Sequence, residues 1–203
     1  MSLFVITGGI GAGKTTVLNA FRREGVFGLD ADDVAHGLYE PGQAAYGPLV
    51  ERWGHGILGA DGRINRRQVA QLVFREPAEL SWLNGLLHPL VREEIRRQSA
   101  DRPCFCAIPL FYECGWQDPS AVVIAVWCTA ADQMRRLGGR GWNREEIERR
   151  CASQLSMDRK LELAQYAIIT SCSWDCLEQQ CRRLCRRLVG AANPPAPHHD
   201  PTT

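Results

Sequence analysis

The sequence predicts an α/β protein built on a doubly wound parallel sheet. Short apolar runs alternate with segments of helical period, the pattern of strands separated by helices. One run, Val122–Cys128, is apolar throughout, as in a central parallel strand covered on both faces. Another, Leu3–Thr7, leads into Gly8-Gly9-Ile10-Gly11-Ala12-Gly13-Lys14-Thr15-Thr16, which satisfies the phosphate-loop pattern G-x-x-x-x-G-K-[ST].

The elements follow in order. Thr15–Phe21 places Val17, Leu18 and Phe21 on one helical face. Gly25 ends that helix, and Val26–Asp30 reads as a second strand. That strand runs into Asp30-Ala31-Asp32-Asp33. Carboxylates at the C-terminal end of such a strand face the ligand crevice, although Asp32 and Asp33 also suit caps for a helix over Val34–Glu40, broken by Pro41-Gly42. Tyr46–Trp53 predicts a helix and Asp61-Gly62 a turn. Asn65 is the expected N-cap of Arg66–Phe74. Glu79–Gln98 predicts a long helix that ends or kinks at His88-Pro89, since proline cannot donate the i→i−4 bond. Cys104–Ile108 and Tyr166–Thr170 complete the strands; Ala130–Leu137 and Leu177–Val189 are the remaining clear helices. The tail from Asn193, rich in proline, is expected to be disordered.

The loop carries specific chemistry. Its glycines turn backbone N–H groups toward a phosphate, and the helix dipole favours the negative charge. Gly11, Ala12, Gly13, Lys14, Thr15 and Thr16 are the expected nucleotide-binding residues, with Lys14 on the β- and γ-phosphates and Thr15 on Mg²⁺.

The chain has 203 residues and a net charge of +1, enough for one domain with a real core and no charge signal for nucleic acid or a membrane surface. No run approaches the roughly 18 apolar residues of a membrane span. No signal peptide is evident, and nine cysteines, an odd number, favour reduced thiols and a cytoplasmic location. Cys172, Cys176, Cys181 and Cys185 lack the paired C-x2-C spacing of common zinc sites. Cys181 and Cys185 instead join Leu177, Leu184 and Leu188 in an expected buried stripe. Only Lys14 and Lys160 are lysines; every other basic side chain besides histidine is arginine. Lys14 fits the loop as a compact ammonium, whereas nothing beside Lys160 explains it, and an ordinary surface lysine is one of the readings left open.

Arg135, Arg136, Arg140, Arg144, Arg149 and Arg150 crowd a segment hinged by Gly138, Gly139 and Gly141. In phosphoryl transfer, a mobile arginine segment closing over the nucleotide neutralises developing charge. The plainer reading is a solvated helix with Glu145–Arg149 and Glu146–Arg150 pairs. Arg140 has no carboxylate one turn away.

From about Phe4 to Leu188 the chain resembles the bacterial dephospho-coenzyme A kinases. The resemblance rests on the phosphate loop, Asp30-Ala31-Asp32, Glu40-Pro41-Gly42, Asp61-Gly62 with Asn65-Arg66, and Leu87-His88-Pro89-Leu90. It continues through Pro109-Leu110-Phe111-Tyr112-Glu113 and the Arg150-x3-Gln154-x5-Lys160 spacing. The resemblance implies one kinase domain over 1–192, with a helical acceptor-binding region at about 32–100 and an arginine-rich lid at about 138–160. It implies transfer of the ATP γ-phosphoryl group to the ribose 3′-hydroxyl of dephospho-CoA, giving CoA and ADP. Asp32 would be the base, and Lys14 and Arg140 would hold the transferring group. Arg66, His88, Pro109 and Leu110 would lie on the acceptor side. ATP and Mg²⁺ are the implied donor and metal, with small-molecule partners only and a monomer or weak homo-oligomer.

The chain departs from the family at Gln165, where aspartate is usual, and at Thr170-Ser171, where asparagine is expected. No aspartate ends the Cys104–Ile108 strand, so metal binding falls to Thr15, phosphates and waters, with Asp30 or Asp32 as further candidates. A nucleoside or nucleotide kinase of the same fold, or an impaired relative, is the alternative. A GTP switch is disfavoured because Asn-Lys-x-Asp is absent.

Overall fold

The computed structural model describes residues 2–116 and 118–192, so the expected disorder after residue 192 lies outside the described residues. The chain forms two compact units, one of residues up to Gly28 together with those from Arg102 onward, the other Leu29–Asp101.

Five strands form one sheet: β1 (Leu3–Gly8), β2 (Phe27–Asp30), β3 (Cys104–Ala107), β4 (Val122–Trp127) and β5 (Tyr166–Ile169), in the order β2-β3-β1-β4-β5. β1 pairs in parallel with β3, Ile6 opposite Ala107, and with β4, Gly8 opposite Val126; β4 pairs in parallel with β5. The apolar runs become the buried interior of the sheet. α1 (Lys14–Arg23) and α9 (Trp174–Ala192) pack together beside it. Phe105 stacks on Phe4 and on Phe21, with ring centroids 4.6 and 4.4 Å apart. Cys181 and Cys185 lie in this core as expected, and burial pushes the Cys181 thiol up to about 12. Cys172 and Cys176, by contrast, are exposed.

The remaining helices of this unit are α6 (Ala130–Gly138), α7 (Arg144–Ala152) and α8 (Met157–Leu163). α7 is an ordinary capped helix: the Asn143 side chain accepts from the Glu146 N–H at 2.8 Å. Arg149 pairs with Glu146 rather than the expected Glu145, and Arg150 shares the same carboxylate.

The Leu29–Asp101 unit is helical: α2 (Ala31–Gly37), α3 (Tyr46–Trp53), a 3₁₀ turn at Gly54–Ile57, α4 (Arg66–Arg75) and α5 (Pro77–Gln98). Asn65 caps α4 as expected, accepting from the Arg67 and Gln68 N–H groups. Two expectations are corrected. α2 begins at Ala31, capped by the Asp30 side chain, and ends at Gly37. Asp32 and Asp33 thus occupy its first turn instead of capping it, where their charge suits the dipole. Of the end or kink expected at His88-Pro89, the end does not occur, and α5 continues through Pro89 to Gln98. Leu83, Leu87, Val91 and Ile95 form one buried stripe on both sides of the proline, packed in the unit formed with α2 and α4. Apolar packing outweighs the one missing backbone hydrogen bond.

Candidate active site

The phosphate loop leaves β1 and enters α1 through glycines that the geometry demands. Gly8 (φ 152°) lies so close to β4 that a Cβ would strike the Val126 carbonyl oxygen, and Gly13 (φ 99°) caps α1 in the left-handed region. No side chain caps α1, and its first turn carries no acidic residue, so the positive end of the helix is kept for an anion. Lys14 Nζ donates to the carbonyls of Gly8 and Gly9, both at 3.0 Å, which draws the ammonium back over the loop. Thr15 and Thr16 are exposed on the first turn.

One face of α6 supports this loop. Gln133 Nε2 donates to the Ile10 carbonyl at 2.7 Å. Arg136 donates to the Gly11 and Ala12 carbonyls at 3.3 and 3.2 Å, and to the Thr170 hydroxyl and carbonyl at 2.9 and 2.7 Å. The Leu137 side chain lies against Gly11. Thr170, just past β5, donates its own hydroxyl to the Ala12 carbonyl at 2.7 Å. The residue standing where asparagine was expected is therefore a direct brace of the loop. Gln165 is also absorbed structurally, accepting from the Val123 N–H at 2.7 Å. A cleft of about 490 Å³ opens beside the loop, lined by Gly9, Ile10, Gln133, Cys151 and Met157 among others.

Arg140 lies in the exposed turn after α6, with no carboxylate partner among the described residues. Pro109 and Leu110 follow β3, at the strand ends where α/β sheets bind ligands; Leu110 is 42% exposed. Lys160 is not a surface residue. It is fully buried, and its Nζ donates to Glu113 Oε1 at 2.7 Å and to the Pro109 carbonyl at 2.8 Å.

Asp32, Arg66 and His88 all belong to the Leu29–Asp101 unit. Asp32 is exposed, and its N–H donates to Asp30 Oδ1 at 3.0 Å. Arg66 lines a cavity of about 470 Å³ with His36, Tyr39, Glu40, Asp61 and Asn65. Burial pushes the Tyr39 hydroxyl upward, opposed by the Arg66 charge. His88 is not among the residues lining that cavity; burial and then the Arg92 charge push its pKa down, favouring the neutral ring.

Sequence reasoning named Arg136, Thr170 and Glu113 but not the contacts they make, and it passed over Gln133. The available signal was the 133–136–137 spacing, which puts two polar side chains and a leucine on one helical face. Asp132, four residues before Arg136, instead suggests an ordinary ion pair. In the structure Asp132 pairs with Arg135, and Arg136 turns to the loop.

Residues 3–175 match the family described as dephospho-CoA kinase. The dephospho-CoA kinase of Yersinia pseudotuberculosis is 40% identical over 173 residues, 83% of this chain and 84% of that protein. That of Methylococcus capsulatus is 37% identical over 193 residues, 92% and 98% of the two chains. A crystal structure from Thermus thermophilus superposes with a TM-score of 0.78 at 30% identity, covering 93% of this chain and 98% of its own. The dephospho-CoA kinase structure from Campylobacter jejuni gives 0.72 at 22% identity over 95% and 100%, a likeness of fold. With the braced phosphate loop in place and the match spanning most of its length, this chain belongs to the dephospho-CoA kinase family.

Proposed function

We propose that the chain transfers the γ-phosphoryl group of ATP to the ribose 3′-hydroxyl of dephospho-CoA, giving CoA and ADP. The observation that carries this reading is a phosphate loop complete in residues and braced in shape, within a chain that matches the family over residues 3–175. The Gly11–Thr16 segment holds the ATP phosphates with backbone N–H groups and the α1 dipole. Lys14 moves from the Gly8 and Gly9 carbonyls to the β- and γ-phosphates. Arg140, exposed in its turn, reaches the transferring group when the 138–160 lid closes.

Asp32 orients the acceptor hydroxyl and takes its proton. Its exposure and first-turn place in α2 leave the carboxylate open to substrate. Arg66, His88, Pro109 and Leu110 make up the acceptor side. Arg66 supplies positive charge from its cavity, and the neutral His88 ring supplies a hydrogen-bonding edge.

Mg²⁺ fits the residues present. The exposed Thr15 hydroxyl is a hard oxygen donor at the phosphate end of α1, and phosphate oxygens and water complete such a set. When bound, the ion supplies charge neutralisation across the β- and γ-phosphates. The nine cysteines, all free thiols, support a reducing cytoplasmic setting. No helix of the described residues is long and apolar enough to cross a membrane. The only partners required are small molecules, and a monomer or weak homo-oligomer suffices.

Neither departure from the family favours an impaired relative, since Gln165 and Thr170 both have structural work in the sheet and loop. The test is ADP release from ATP with dephospho-CoA beside a panel of nucleosides and nucleotides, with CoA identified by mass. Turnover of a nucleoside in preference to dephospho-CoA would overturn the assignment.

A further inference from the structure

The buried Lys160 has no part in the chemistry just described, yet it is one of only two lysines in the chain. Its ammonium joins two groups from the segment after β3. It donates to Glu113 Oε1 at 2.7 Å and to the Pro109 carbonyl at 2.8 Å. The same carbonyl accepts from the Thr7 hydroxyl at 3.3 Å, and Thr7 immediately precedes Gly8 of the phosphate loop. Glu113 Oε1 also accepts from the Leu155 N–H at 2.9 Å, in the segment between α7 and α8. A continuous path of polar contacts therefore runs from the end of β1, through the Pro109 carbonyl and the ion pair, to the base of the lid.

Stability alone is a poor reason for this arrangement. A buried ion pair gains little over apolar residues of the same volume, because desolvation offsets the attraction. Glu113 Oε2 is also buried with no hydrogen-bond partner among the described residues, so the carboxylate is not fully satisfied. What the pair does accomplish is geometric. The backbone between β3 and Glu113 is tied to the sheet by the Ile108 N–H, which donates to the Ile6 carbonyl at 2.9 Å, and beyond that by Thr7 and Lys160. Lysine suits the position because a compact ammonium can aim separate N–H bonds at a carboxylate and a carbonyl, whereas a guanidinium presents a flat fork.

We propose that Lys160 and Glu113 are positioning residues for the acceptor: they hold the Pro109–Leu110 turn at a fixed place relative to the phosphate loop. The inference rests on the reading of that turn as part of the acceptor side. Neither residue touches the reacting atoms. Their effect comes through alignment, where an error of about 1 Å can cost on the order of 10²-fold in rate.

The test replaces the pair with apolar groups of similar size, Lys160→Met with Glu113→Leu in one protein. The expected result is a parent-like melting temperature and parent-like binding of a fluorescent ATP analogue, with kcat/KM for dephospho-CoA down on the order of 10²-fold. A purely structural pair predicts that the double variant, once folded, turns over dephospho-CoA like the parent, and that outcome overturns the inference. A matching loss of ATP-analogue binding overturns it too. Should the double variant not fold, Thr7→Val, which removes one donor to the Pro109 carbonyl with little change of volume, decides instead. It should lower kcat/KM for dephospho-CoA several-fold without changing ATP-analogue binding, and parent-like kinetics there refute the role. An inactive parent in the same assay would count against the functional reading, whereas a fully active variant counts against the positioning role.

Discussion

The phosphate loop and the helical Leu29–Asp101 unit present their functional groups in opposite ways. The loop is shaped by residues far away in sequence. Arg136 and Thr170, 124 and 158 residues from Ala12, both bond its carbonyl. In the helical unit, Asp32 and Arg66 stand on exposed first turns, each set by a cap one or two residues away, Asp30 and Asn65. Donor-side geometry is thus preorganised by tertiary contacts, a device that lowers the reorganisation needed during the reaction. The helical unit offers its side chains to solvent and relies on local caps to aim them. Substitutions in the two regions should therefore fail differently.

The sharpest break is Lys14→Ala. It should abolish turnover while leaving the circular-dichroism melt unchanged, because on the proposed reading the side chain serves phosphates and it lies outside the buried core; near-normal activity would remove Lys14 from the mechanism. Arg140→Ala comes next, with kcat expected to fall on the order of 10³-fold. Arg140→Lys should recover only part of this because the planar fork is lost. A stopped-flow single turnover separates this loss from product release.

Asp32→Asn tests the helical unit. A fall in kcat of roughly 10²–10⁴ with unchanged ATP affinity fits a base. A loss that appears in ATP binding instead would move Asp32 to the metal site and make Asp30 the better candidate.

His88 gives a smaller, pH-dependent effect. Its pKa is lowered in the folded chain, so the unfolded chain takes up the proton first. Its stabilising contribution is complete above the ordinary histidine value of 6.5 and is lost as pH falls through the lower folded value. Melting temperature should drop over that window, and His88→Gln should flatten the drop. Arg149→Ala is the mildest. Its pairing with Glu146 is an exposed helix contact, so kcat should change by less than about twofold. If Arg140→Ala and Arg149→Ala gave equal, small effects, the lid role of Arg140 would be lost.

Local rules made much of this legible. The glycine pattern, the continuous apolar run of β4 and the Asn65 cap all depend on neighbours in sequence, and each was readable there. The misreadings share one cause, the influence of distant residues. Pro89 stays within α5, whose buried apolar stripe runs on both sides of it in a helix packed on α2 and α4. Lys160 is buried because Glu113, 47 positions earlier, meets it. Arg136, read only as one of a crowded arginine segment, braces the loop because Ala12 and Thr170 lie within its reach. Asp30 as the cap of α2 was a nearer miss: three acidic residues in four positions left more than one plausible helix start.

The burial of Lys160 also simplifies the amine chemistry of the protein. With its ammonium enclosed and every other long basic side chain a guanidinium, Lys14 carries the only ε-amine in partial contact with solvent. An acylating or reductive-methylating reagent should therefore modify one lysine, the one in the phosphate loop. ATP should shield that position, so the extent of labelling becomes a direct gauge of donor-site occupancy that needs no catalytic turnover.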